Sequence, residues 1–155
     1  VENEKSDKQT YDLDDIDLKV LEVLRGDGRA ALSQIAEQLG VSPGMIRMRY
    51  NRMVEMGYLK VVAITNPLRM GYEAMAMIGV RTDGKRMLEV AERIAAFDEV
   101  VYLVVTSGRF DIMAEVFCRD HADLLRFITE KLYSIDGVRE SESFLQLKIV
   151  KEVYF

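Results

Sequence analysis

The chain has 155 residues, of which 49% are hydrophobic and 30% charged, with a formal charge of -5. That size and composition fit one or two folded domains and exclude wholesale disorder. Apolar runs such as Val100–Val105 fall far short of the ~20 residues of a membrane span, and a single cysteine (Cys118) and a single histidine (His121) exclude an internal disulfide and a Cys/His zinc site.

No basic stretch followed by an apolar run opens the chain, so no signal peptide is expected, and the expected location is cytoplasmic. Residues 1–12 are polar without an apolar period and read as a flexible tail. Ile16, Val20, Val23 and Leu24 then mark an amphipathic helix with Asp14 as N-cap and Asp17 three residues on. Gly26-Asp27-Gly28 breaks it. A second stripe, Leu32, Ile35, Ala36 and Leu39, ends at Gly40. Ser42-Pro43 is an N-cap followed by proline at the first helical position, and a third helix is expected to run to Met56, with Gly57 as its stop. Tyr58–Ile64 is β-rich and reads as extended, within a linker spanning 58–70.

Beyond Gly71 the period changes. Strands are expected over Glu73–Val80, Val100–Thr106 (a buried one), Asp111–Cys118 and Ser143–Val150. Helices are expected over Lys85–Ala96 and after Asp120, bearing Leu124, Leu125, Ile128 and Leu132. The order β-α-β-β-α-β is the ferredoxin-like arrangement. The predicted fold is therefore α+β: a helix-turn-helix domain over 13–57, an extended linker, and a ferredoxin-like domain over 71–155. Met75, Met77 and Met113 read as core or interface filler, Cys118 as a packing residue and His121 as a solvated first-turn histidine.

Three short helices with a Gly40-Val41-Ser42 turn follow the helix-turn-helix plan, in which the third helix enters the major groove of double-stranded DNA. Wound at ~100° per residue, this helix gathers Ile46, Tyr50, Met53 and Val54 on a packed face. Gly44, Arg47, Met48, Asn51 and Arg52 fall opposite, and Arg49 flanks the packed face. The acidic total charge argues against a nucleic-acid partner at first sight. Locally it does not: residues 43–60 carry Arg47, Arg49, Arg52 and Lys60 against Glu55 alone. Arginines on such a helix hold phosphates or read guanine; on spacing alone a solvated face is the alternative. The turn Ser107-Gly108-Arg109-Phe110-Asp111 has a comparable double reading. Asp111 can accept from an ammonium group, Arg109 can meet a carboxylate, and Gly108 permits a positive φ and close approach of a ligand. The same residues also suit a plain hairpin turn.

Taken together, Leu13-Asp14-Asp15-Ile16-Asp17, Asp27-Gly28-Arg29, Ile35-Ala36, Leu39-Gly40-Val41-Ser42, Arg49 with Arg52, Glu55-Met56-Gly57, Asn66-Pro67, Gly71-Tyr72, Thr106–Asp111 and Asp136-Gly137-Val138 resemble the Lrp/AsnC family of transcription regulators. The resemblance implies a sequence-specific DNA-binding regulator, not an enzyme, working without cofactor or metal. It implies a C-terminal domain that forms homodimers or octamers and responds to an amino-acid effector bound around the 107–111 turn (Ser107, Gly108, Arg109, Asp111), with Glu140, Ser141 and Ser143 expected nearby. DNA contacts are expected from Ser42, Gly44, Met45, Arg47, Met48, Arg49, Asn51 and Arg52. Two departures stand out: Gly44 and Met45 replace the hydroxyl residues usual early in the recognition helix, and Ala31 replaces a serine cap of the second helix. The alternatives on the same scaffold are a tetrapyrrole decarboxylase and an architectural DNA-binding protein without an effector.

Overall fold

The computed structural model describes residues 12–151. The expected tail lies outside them except for Asp12. The chain divides into two compact units, with the boundary between Ile64 and Thr65.

The first unit holds three helices: α1 (Asp15–Gly26), α2 (Leu32–Leu39) and α3 (Pro43–Glu55). A reciprocal capping box starts α1. Asp14 Oδ1 accepts from the Asp17 amide at 3.0 Å, and Asp17 Oδ2 accepts from the Asp14 amide at 3.2 Å. Ala31 caps α2 without any side-chain hydrogen bond. Gly40, at φ 66°, turns the chain after α2, and the Val41 amide closes back on the Ala36 carbonyl at 2.9 Å. Val20, Leu24, Ile35, Ala36, Ile46 and Met53 form the core. Val54 is 43% exposed, contrary to the expected packed position. Eight residues on from Ile46, it sits about 80° round the helix, whereas Met53 returns to the same stripe. Residues 58–64 join no sheet. They form no strand, and Val61, Val62 and Ile64 are exposed and pair with no strand among the described residues.

The second unit contains β1 (Ala74–Thr82), α4 (Met87–Ala95), β2 (Val100–Val105), β3 (Ile112–Cys118), α5 (His121–Arg126) and β4 (Val138–Leu145). Short 3-10 turns precede β1 and α4, and α5 runs on as a π turn over Phe127–Leu132. The strands form one antiparallel sheet in the order β2-β3-β1-β4, the ferredoxin-like topology. Ala74, Ala76, Ile78 and Val80 of β1 and Ile112, Ala114, Val116 and Cys118 of β3 point to one face, where Val90, Ile94, Leu124, Phe127 and Leu132 complete the core. The period of two that alternates side chains across a strand places Met77, Gly79, Met113 and Phe117 on the other face.

Two strand expectations change. β2 is an edge strand, not a buried one: it bonds only to β3, its register slips between Val100 and Tyr102, and Val101 and Tyr102 are exposed. The last strand begins at Val138, directly after Gly137 (φ 102°), and ends at Leu145, where Ser143–Val150 was expected. The later residues are equally β-prone, but after the Gln146 amide bonds the Met75 carbonyl and its side chain bonds Glu115, residues 147–150 join no strand among the described residues; Leu147 is 90% exposed.

Candidate nucleic-acid interface and effector cleft

The start of α3 is set by local chemistry. Ser42 Oγ accepts from the Met45 amide at 3.2 Å, and Pro43 occupies the first turn, where its missing N–H leaves no bond unmade. The end is set by Gly57 at φ 76°, with the Tyr58 amide bonded to the Met53 carbonyl at 2.8 Å. Between them, Ile46 and Met53 anchor the helix in the core, which turns Gly44, Met45, Arg47, Met48, Asn51 and Arg52 outward; all six are exposed. The space around Gly44 is open, with no atom within 4 Å of where a Cβ would stand. Ser42 is exposed too, but its hydroxyl is engaged as the helix cap.

Arg49 stands apart from the other expected DNA contacts. Its Nη1 lies 2.8 Å from Asp14 Oδ2 and 2.9 Å from Asp17 Oδ1, and the Asp17 side chain is fully buried. The structure turns Arg49 inward onto the first turn of α1, away from the exposed face. The two carboxylates raise its pKa still further above the ordinary arginine value, the Asp17 hydrogen bond chief among the causes. Asp14 is held below the usual aspartate range, first by the Asp17 amide and then by Arg49. The sequence signal for this tether was the flanking position of Arg49 beside the packed face. The outward basic side chains of α3 are thus Arg47 and Arg52.

In the second unit the turn between β2 and β3 is tied down at several points. The Thr106 amide donates to the Asp111 carbonyl at 2.8 Å, the Asp111 amide donates to the Val80 carbonyl at 2.9 Å, and Asp111 Oδ2 accepts from the Thr82 amide at 2.7 Å. Gly108 does not use a positive φ, and nothing stands within 4 Å of its missing Cβ, so the turn geometry expected to require it does not. Phe110 folds back over β1. Ser107 and Arg109 are exposed.

Two adjoining clefts of about 370 Å³ each open beside this turn. Gly108, Arg109 and Asp111 line the first; Arg109, Glu140 and Ser141 are among the walls of the second. Ser107 and Ser143 line neither. Arg81, Thr82, Tyr133, Arg139 and Glu142 also contribute, and sequence reasoning passed over them. Arg81 had a usable signal, being the one charge within the otherwise apolar run of β1. Tyr133 and Arg139 come from the far end of the chain and are joined to the turn only by the sheet. Cys118 is buried, and burial pushes its thiol up to about 11. Among the described residues no group of histidine, cysteine and carboxylate side chains could hold a metal ion, and no helix is long and apolar enough to cross a membrane.

A helix-turn-helix unit with a basic outward helix, joined to a separate ferredoxin-like domain with clefts at one end of its sheet, defines a two-domain DNA-binding transcription regulator. Residues 13–60 match the winged helix-turn-helix DNA-binding family model, and residues 75–154 match that of the Lrp/AsnC ligand binding domain. The chain belongs to the Lrp/AsnC family. An uncharacterized HTH-type transcriptional regulator of Pyrococcus horikoshii is 36% identical over 92% of this chain and 91% of its own length. The HTH-type transcriptional regulator Ptr1 of Methanocaldococcus jannaschii is 32% identical over 90% of this chain and 95% of its own length. Among solved structures, AsnC of E. coli superposes with a TM-score of 0.87 at 28% identity, covering 94% of this chain and 99% of that one. A transcriptional regulator of Neisseria meningitidis in complex with L-Met superposes with a TM-score of 0.83 at 26% identity, covering 92% and 94%.

Proposed function

We propose that this regulator binds specific double-stranded DNA sites through α3 and that an amino acid bound beside the 106–111 turn alters that binding. The observation that carries the DNA part is the outward face of α3, where Arg47, Asn51 and Arg52 are exposed while Arg49 is tethered inward. Arg47 and Arg52 then hold phosphates or read guanine, and Asn51 suits an adenine edge. The effector part is supported by the clefts, in which guanidinium and carboxylate groups stand close enough to meet the two charges of an amino acid.

The working unit in this reading is a homodimer or an octamer. The sheet face opposite the helices leaves Phe144 45% exposed, and the β-prone residues 58–64 carry exposed Val61, Val62 and Ile64. A dimer places two α3 helices on half-sites about one helical turn of DNA apart, or a multiple of it. Residues 13–57 serve as the DNA-binding domain, 58–70 as the linker and 71–155 as the sensing and assembly domain of a regulator that is not an enzyme. Selection of bound fragments from pooled genomic DNA, with and without an amino-acid pool, tests both parts. Salt-sensitive enrichment of sites sharing a pseudo-palindrome supports the DNA reading, and a changed set or affinity with amino acids supports sensing. No enrichment at low salt refutes the first.

A further inference from the structure

In the helix-turn-helix plan the N-terminal part of the recognition helix meets the base edges. Over residues 43–48 of α3, Pro43 opens the helix and Ile46 is buried, which leaves Gly44, Met45, Arg47 and Met48 as the outward positions. Only Arg47 among these four carries a hydrogen-bonding side chain; Met48 is 64% exposed and Met45 37%. At 3.6 residues per turn, Met48 stands about 200° round the axis from Ile46, near the middle of the outward face. Its neighbours three and four residues away are Gly44, Met45, Asn51 and Arg52. Gly44 leaves the space beside it open, with no atom within 4 Å of where a Cβ would stand.

The chemistry of that patch selects a base. A thioether donates no hydrogen bond and is only a weak acceptor. Pressed against the amino groups of cytosine or adenine, or against the N7 and O6 of guanine, a methionine strips water and returns no hydrogen bond. The major groove presents one methyl group, on C5 of thymine, and the flexible, polarizable side chain of methionine packs readily against it. Charge brings the patch to this partner and no other: Arg47 and Arg52 lie on either side of Met48 around the outward face, placed for phosphates that flank the groove. We infer that Met48, with Met45 beside it, reads the C5-methyl group of a thymine, so that each half-site bound by this regulator sets a thymine against the N-terminal half of α3. The inference rests on the proposed binding of duplex DNA through α3.

The test takes the intact chain and the duplexes recovered by selection from pooled genomic DNA. Each thymine of a recovered half-site is replaced in turn by deoxyuridine, which pairs as thymine does and lacks only the methyl group. At one position per half-site the replacement is expected to weaken binding about fourfold, the worth of one buried methyl group. The slope of log affinity against log salt should stay unchanged, since no phosphate contact is involved. Met48→Ala is expected to weaken binding to the thymine duplex about fourfold and to respond to the uracil replacement by less than about twofold, because the two changes remove one contact. Met48→Leu, which keeps an apolar side chain, should retain the thymine preference. Met48 is exposed, so thermal unfolding should be the same in both variants. Uracil duplexes bound as tightly as the thymine duplex at every position overturn the methyl readout and leave DNA binding standing. A thymine preference that survives Met48→Ala overturns the assignment to that side chain. Recovered half-sites without a shared thymine overturn the inference as well. No enrichment of any fragment at low salt overturns it together with the DNA reading beneath it.

Discussion

Phe110 lies on Gly79. A Cβ built on Gly79 would stand 2.5 Å from the Phe110 ring, closer than such atoms approach, so the ring takes the place of a side chain at the centre of β1. It also meets Phe144 edge-on, with ring centroids 6.2 Å apart, and the Arg109 guanidinium lies over the ring, 5.3 Å from its centroid. The turn that borders the two clefts is thereby seated on the sheet by an aromatic ring as well as by the hydrogen bonds of Asp111.

Gly79→Ala is expected to displace Phe110 and to destabilise the protein by about 1–3 kcal/mol, the usual range for overpacking. Adding Phe110→Ala removes the clash, so the double variant should lose less than the two single losses combined. Chemical denaturation of the four proteins measures this coupling; additive losses would show that the contact carries no such constraint.

Arg49→Met leaves the buried Asp17 carboxylate without its guanidinium and is expected to cost about 3 kcal/mol. DNA affinity falls with it because α3 loses its tether. The salt dependence of the affinity that remains should keep its slope, since no phosphate contact has been removed. A shallower slope would place Arg49 on DNA.

Arg47→Ala has the opposite signature. Stability changes by less than about 0.5 kcal/mol, as for exposed positions, while log affinity against log salt becomes shallower by about 0.9 for each bound subunit, about 1.8 for a dimer, if Arg47 holds one phosphate. Arg52→Ala is expected to follow it. Gel-shift titrations at several salt concentrations separate these variants from Arg49→Met.

Two substitutions should stabilise the first unit. Ala31→Ser supplies the missing cap of α2, worth about 1 kcal/mol. Gly44→Ala raises helix propensity by about 1 kcal/mol, with open space for the added methyl group. Thermal unfolding checks both. A stabilised Gly44→Ala variant with weakened DNA binding would show that the glycine serves close approach to DNA.

The protein should lose stability in acid through identifiable groups. Asp14, Glu89 and Asp136 are all held below their ordinary values, Asp14 by the Asp17 amide and then Arg49, the other two by hydrogen bonds from Arg86. For Glu99, burial pushes upward, but the Lys131 hydrogen bond, its own amide and the Lys131 charge outweigh it. A lowered folded-state pKa means that the unfolded chain binds more protons. The contribution is complete above the ordinary values of 3.8 and 4.5 and is lost as pH falls through the lower folded values. Melting temperatures from pH 7 down to 2.5 should show this decline (about the usual acid-unfolding window), and Asp14→Asn should flatten it.

The helices of the first unit could be read from local rules because most ends carry their own chemistry, Asp14 and Ser42 as caps and Gly40 and Gly57 as stops, with Ala31 at the start of α2 the exception. The alternation in β3 is equally local. Position in the sheet is not: nothing within Val100–Val105 says that it lies at an edge, and only the strand order shows it. Residues 143–150 were β-prone throughout, yet pairing with β1 begins five residues earlier, at Val138, and stops at Leu145. The exposed face of α3 followed from helical period, but the inward turn of Arg49 depends on carboxylates more than thirty residues away. The clefts were half visible for the same reason. Their turn is contiguous, whereas Arg81, Tyr133 and Arg139 are assembled by topology.

Asp14 divides its two oxygens between two tasks: Oδ1 caps α1 through the Ile16 and Asp17 amides at 3.0 Å, and Oδ2 meets Arg49. Opening the first turn of α1 therefore releases the Arg49 side chain of α3 from both carboxylates at the same moment. The amides of Ile16 and Asp17 and those of α3 should exchange with solvent hydrogen as one cooperative unit, protected to a common free energy, although they stand at opposite ends of the domain's sequence. Fraying, which most chain termini undergo at no consequence to the rest of a fold, is here coupled to the helix that carries Arg47 and Arg52.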